Sequence, residues 1–206
     1  MKGIALLAEC PDWAVCVKPA GMDSEKEVPE ALGEAAGGSF LPVHRLDRAA
    51  AGLMVYARTP AAAAQLSRLI QAGQLTKEYM LLCHGALPAK NGPMEDLLWK
   101  DIHKNKVYVV SRPRAGVREA RLTYRVLGSP APDRTLVRVR LETGRTHQIR
   151  VQFASRGCPL WGDRRYGARD REKELYLFSC ALSFPWQGGE KRFELLPDWA
   201  GEPEGT

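Results

Sequence analysis

The sequence predicts an α+β fold, a mixed and mostly antiparallel central sheet with flanking helices. Short segments with the two-residue alternation of strands outnumber those with helical spacing. Several of them follow one another across brief turns, as antiparallel neighbours do. The few helices fall between such pairs instead of alternating one for one with strands, which argues against a doubly wound sheet.

The elements follow in order. Residues 1–8 open with an apolar stretch that reads as a first strand, ended by Glu9. Trp13 to Lys18 is a strand stopped by Pro19-Ala20-Gly21, and Glu27 to Ala36 is a short helix. Phe40 to Arg45 is an extended entry to a loop, and Leu53 to Ala57 is an apolar strand. Thr59 caps a helix with Pro60 at its first position, because Pro lacks the N–H that would go unused there. Leu66, Leu69 and Ile70 give that helix its buried stripe, and Gly73 ends it. Lys77 to Cys83 is the next strand. Leu122, Tyr124 and Val126 alternate, as do Val137, Val139 and Leu141; the turn at 128–133 joins them into a hairpin with Arg138 and Arg140 on its outer face. Thr146 to Ser155 reads as a helix with Ile149 and Phe153 inward. Strands at Tyr176 to Phe184 and Arg192 to Leu195 complete the set. With no repeat and no linker, the expectation is a single domain over 1–206, with a disordered tail at 201–206.

Composition bounds the function. Hydrophobic residues make up 45% and charged residues 26%, as in ordinary globular chains, and no apolar run reaches the ~20 residues that span a bilayer. Five cysteines, an odd number without a C-x-x-C pair, suggest neither a disulfide framework nor a zinc ribbon, and point to reduced thiols in a cytoplasmic protein. The net charge of +6 is concentrated. Eight Lys or Arg lie between Lys100 and Arg125 against two acids, and seven Arg between Arg145 and Arg171 against two. Such stretches suit a polyanionic partner.

Glycine-rich phosphate loops, the dinucleotide fingerprint, H-E-x-x-H and G-x-S-x-G are all absent, and the four histidines lack metal-ligand spacing, so neither cofactor nor metal is expected. What remains is a pair of segments, His44-Arg45-Leu46-Asp47-Arg48-Ala49-Ala50-Ala51-Gly52-Leu53 and Leu141-Glu142-Thr143-Gly144-Arg145-Thr146-His147-Gln148-Ile149-Arg150. The first sets Asp47 between two arginines, Arg45 and Arg48, which would favour its ionised form.

Together these segments resemble the RluA family of pseudouridine synthases, with its H-R-L-D-x-x-T-S-G-L-L and later L-x-T-G-R-T-H-Q-I/L-R-V. Lys18-Pro19-Ala20-Gly21 is similar to the family's K-P-x-G, Lys77-Glu78-Tyr79 to K-x-Y, and Gly157-Cys158-Pro159-Leu160-Trp161-Gly162-Asp163 with Tyr166-Gly167 to G-x-P-I/L-x-G-D and Y-G. The resemblance covers roughly Pro11 to Leu196. One departure is Ala50-Ala51 in place of Thr-Ser, which removes two hydroxyls that could brace the loop.

The resemblance implies an isomerase that turns selected uridines of structured ribosomal or transfer RNA into pseudouridine without a cofactor. Asp47 would be the acting carboxylate, either adding to the sugar or removing its C2′ proton. Arg150 would be the guanidinium that pairs with it, and Tyr79 the ring that stacks on the uracil. Arg45 would fill the gap left by the flipped nucleotide, and Lys18, Arg48, Arg145 and His147 would join it in binding RNA. His44 and His147 read as loop braces. Only ten residues precede Pro11, too few for the small S4 domain many relatives carry, so RNA contacts would come from the catalytic domain of a monomer. The competing reading is an RNA-binding module that has lost catalysis. A metal-dependent hydrolase built on Asp47 would need a second acid nearby in sequence, which is missing.

Overall fold

The computed structural model describes residues 4–201. The elements in chain order are β1 (Ala5–Glu9), β2 (Trp13–Lys18), α1 (Glu27–Ala36), β3 (Leu41–Pro42), β4 (Ala51–Ala57), α2 (Pro60–Gln71), β5 (Thr76–His84), β6 (Asn91–Asp101), β7 (Lys106–Val110), β8 (Val117–Ala131), β9 (Arg134–Leu141), α3 (Gln148–Ser155), β10 (Leu177–Trp186) and β11 (Gly189–Glu194). The class is the expected one, mixed and mostly antiparallel β-structure with helices. Residues 202–206, most of the expected disordered tail, lie outside the described residues. Packing divides the chain into two compact units.

The first unit takes residues 4–77 and 178–197. Its strand order is β1-β2-β4-β10, with β3 added to β4 and β11 to β10. The β4–β10 pairing is parallel and the others described in this unit are antiparallel. Trp13, Val15, Val55, Leu66, Phe184 and Trp186 share its core, and the Trp13 and Phe184 rings meet edge to face at 5.5 Å. Helix α2 docks through Leu66; its Thr59 Oγ1 accepts from the Ala62 N–H at 3.1 Å, the cap that the sequence foretells. Helix α1 buries Val28 and Leu32, four residues apart on one face. Gly52 is required at the start of β4: its φ is +120°, and a Cβ there would overlap the Ser179 backbone of β10.

The extended segment expected over Phe40 to Arg45 shrinks to Leu41–Pro42. The reason is local. The Val55 N–H, which a longer β3 could use, donates instead to His44 Nε2 at 3.1 Å.

The second unit takes 78–177 and 198–201, with strand order β5-β9-β8-β6-β7. Helix α3 packs on one face, where Val151 meets Leu98, Val107 and Ala120. The β6–β7 hairpin was not foreseen, because lysines at 100, 104 and 106 hide the alternation of Met94 and Leu98, which are buried. The β8–β9 hairpin is present, but its strands run past the expected turn; register shifts near Gly128 carry β8 to Ala131. Helix α3 begins at Gln148 and not Thr146, because His147 takes a left-handed conformation with φ 51°. His147 and Arg150 therefore do not share a helix face.

Candidate active site

In the first unit, Asp47 sits in the loop between β3 and β4. The loop is held on both sides of it. After Asp47, the Arg48 carbonyl accepts from the Gly21 N–H at 2.7 Å and from Lys18 Nζ at 3.2 Å. Before it, Leu46 bonds through both its N–H and its C=O to the Ser24 hydroxyl. The Asp47 carbonyl accepts from the Ala50 N–H at 3.0 Å.

Three expectations for this loop are revised. Lys18, placed among the phosphate contacts, is fully buried, and its ammonium donates to the carbonyls of Pro19 (2.9 Å), Met22 (3.0 Å) and Arg48. Three N–H groups meet three carbonyls, so its role is to fasten the turn to the loop. Burial pushes its pKa down to about 8, with nearby Asp47 acting in the opposite direction. Arg48 and Arg45, expected to support the charge of Asp47, reach instead to Glu27 (2.8 Å) and Glu25 (3.8 Å). Both arginines are more than half exposed, so these pairs contribute little to stability. His44 is a brace, as read. Burial, with Lys77 adding to the effect, holds its pKa well below 6.5, so it is neutral and its Nε2 can accept from Val55.

In the second unit, the Thr143–His147 loop leads into α3 and is fixed by Gln148. The Gln148 Oε1 accepts from Thr143 Oγ1 (2.8 Å) and the Arg145 N–H (3.0 Å), while its Nε2 donates to the Arg121 carbonyl (3.0 Å). Arg145 stays exposed and donates through Nε to the Glu119 carbonyl. The Tyr166 hydroxyl accepts from the Val107 N–H at 3.0 Å and shares a hydrogen bond with His147 Nδ1 at 2.9 Å. That bond ties the turn before α3 to Tyr166.

Arg150 is buried on α3 and forms a two-pronged pair with Asp163, Nε to Oδ2 at 2.7 Å and Nη2 to Oδ1 at 2.8 Å. Its guanidinium also lies 5.2 Å from the Tyr166 ring centre. Tyr79 is buried on β5 opposite Val139 of β9. Asp163, Gln148 and Ser24 carry much of this geometry, and none was singled out from sequence. Asp163 and Gln148 stand inside the quoted motifs, whereas Ser24 has no signal beyond a polar residue in a turn. Among the described residues, no three His, Cys, Asp or Glu side chains are arranged to hold a metal ion.

Solved pseudouridylate synthase structures share this architecture. "Human RNA Pseudouridylate Synthase Domain Containing 1" superposes with a TM-score of 0.83 over 94% of this chain and 83% of that one, at 21% identity. "Human RNA Pseudouridylate Synthase Domain Containing 4" gives 0.78 over 95% and 90%, at 22% identity. The fold is thus that of the pseudouridylate synthases. The family model described as RNA pseudouridylate synthase matches residues 12–155, a span that includes Lys18, Asp47, Tyr79 and Arg150. The chain belongs to that family, and its motifs are of the RluA type.

Among curated relatives, "Ribosomal large subunit pseudouridine synthase D" of Haemophilus influenzae is 39% identical over 129 residues, covering 63% of this chain and 38% of the relative. The protein of the same description from Vibrio cholerae is 40% identical with the same coverage. "Uncharacterized RNA pseudouridine synthase YhcT" of Bacillus subtilis is 38% identical over 61% of this chain and 41% of its own length. The matched stretch spans about two fifths of these relatives.

Proposed function

We propose that this protein isomerises specific uridines in structured RNA to pseudouridine, with Asp47 as the essential carboxylate. The observation that carries this reading is the family match over 12–155, which keeps the aspartate of the first motif and the tyrosine and arginine of the later ones. Ribosomal RNA is the substrate class the relatives' names favour, with transfer RNA the other candidate and the cytoplasm the site of action.

The reaction breaks the C1′–N1 bond and forms a C1′–C5 bond. C5 loses its hydrogen and N1 gains one, so the product is an isomer and no electron acceptor is required. Addition of Asp47 to C1′ and removal of the C2′ proton are both within a carboxylate's reach, and both require it ionised and fixed in place. Tyr79 is the ring assigned to the base and Arg150 the guanidinium assigned to the carboxylate. Arg45, Arg145 and His147 are the RNA contacts, with Arg45 assigned to the gap left by the extruded nucleotide.

The test uses total RNA from a strain lacking the protein. Incubation with the protein and chemical mapping are expected to reveal new pseudouridines, absent when Asp47→Asn replaces it. RNA labelled with tritium at uridine C5 gives a second readout, because each turnover releases the label to water. RNA binding with no new site and no tritium release would leave the impaired binding module as the correct description.

A further inference from the structure

We infer that Ser24 is a positioning residue for Asp47, fixing the loop from the side that Lys18 does not reach. The inference rests on the reading of Asp47 as the acting carboxylate. A hydroxyl has one proton and two lone pairs. Ser24 uses its proton and one lone pair on a single neighbour: Oγ donates to the Leu46 carbonyl at 3.0 Å and accepts from the Leu46 N–H at 3.2 Å. Ser24 is buried, 4% exposed, and Leu46 is buried beside it, so water does not compete for these bonds.

The clamp has a rigid base. The Ser24 carbonyl accepts from the Tyr56 hydroxyl at 2.7 Å, and Tyr56 is fully buried on β4. Burial raises the phenol's pKa, so the hydroxyl keeps its proton and remains a donor. A continuous path therefore runs from Tyr56 through Ser24 to Leu46, the residue before Asp47. Helix α1 steadies the same turn from its start, where Glu27 Oε2 accepts from the Asp23 N–H at 2.8 Å and Asp23 Oδ1 accepts from the N–H groups of Glu25 and Lys26. Ala50 and Ala51, following Asp47, have no side-chain atoms that can hydrogen-bond. The hydroxyl that braces this loop comes from a turn 22 residues upstream.

Misplacing a reacting group by a fraction of an ångström costs turnover and not binding, because RNA affinity comes from phosphate contacts elsewhere. The test compares wild type, Ser24→Ala, Ser24→Thr, Tyr56→Phe and Asp47→Asn by tritium release and by thermal melting. Expected for Ser24→Ala is a kcat lower by roughly 10-fold or more, with KM changed less than about twofold. Ser24→Thr, which keeps the hydroxyl, is expected to recover most of that loss, and Tyr56→Phe to lower kcat in the same direction. A folded Ser24→Ala with wild-type kcat, a loss confined to KM, or a folded Ser24→Thr no better than Ser24→Ala would overturn the inference. If Ser24→Ala does not fold, Tyr56→Phe decides: an unchanged kcat overturns it. Full tritium release by Asp47→Asn would instead sink the underlying reading of Asp47, so the two failures are distinguishable.

Discussion

Asp163 illustrates how much can depend on one residue outside the Asp47 loop. Its carboxylate is fully buried and takes two charge-assisted hydrogen bonds from Arg150. Removing one member of such a buried pair costs about 3–5 kcal/mol, because the charge of the other has been taken out of water. Asp163→Asn is therefore expected to lower the melting temperature by roughly 10 °C, at the few degrees per kcal/mol typical of chains this size. A melting curve with an unchanged midpoint would show that the pair adds nothing net. The residue identities here were legible: Asp163 and Arg150 both lie in motifs quoted from the sequence. Their pairing was not, because nothing local joins positions 13 apart.

At the scale of elements, His84 at the end of β5 ties three segments together. Its Nδ1 lies 3.0 Å from Asp133 in the β8–β9 turn, and its Nε2 lies 2.7 Å from Asp170. Asp170 in turn accepts from the Gly162 N–H, next to Asp163. Both ring contacts can be hydrogen bonds only when the imidazole carries both protons. Burial opposes that charge, but bonds to Asp170 and Asp133 outweigh it and raise the pKa above 6.5. The His84 bond lowers Asp133 below 3.8, and the bonds from His84, Gly162 and Glu172 lower Asp170 in spite of its burial. The His84 contribution to stability is thus complete below 6.5 and lost as pH rises through its raised folded value. The carboxylate contribution is complete above 3.8 and lost as pH falls through their lowered folded values. The melting difference between wild type and His84→Gln is expected to be largest between the ordinary carboxylate and imidazole values, 3.8 and 6.5, and to shrink as pH rises through the raised folded value of His84. A difference that is flat across this range would remove the ion triad as its cause. Elements with a strong local signal, such as the Thr59-capped α2 and the apolar β4, stand where the sequence puts them. The β6–β7 hairpin was hidden by its own lysines, and α3 lost its first two residues to the left-handed turn at His147.

At the scale of the whole molecule, charge is the property that reaches furthest. Arg112, Arg114, Arg118, Arg121 and Arg125 are all exposed, and the net charge is +6. RNA binding is expected to weaken with salt, the logarithm of affinity falling by about 0.7 to 0.9 per logarithm of salt for each phosphate contacted. Replacing Arg112 and Arg118 together by Gln should reduce that slope by roughly 1 to 2 while leaving tritium release at saturating RNA unchanged. A filter-binding titration at several salt concentrations measures it, and an unchanged slope would place the RNA track elsewhere. By itself the sequence determined the α+β class, the family and the residues that carry its motifs, because alternation, capping chemistry and motif spacing are local properties. Tertiary structure decided which side chains those residues hold: Lys18 turned inward to three carbonyls, the arginines beside Asp47 drawn to Glu25 and Glu27, Arg150 gripped by Asp163, Leu46 clamped by Ser24. Such partners are selected by which groups packing brings together out of water, and chain spacing does not encode that.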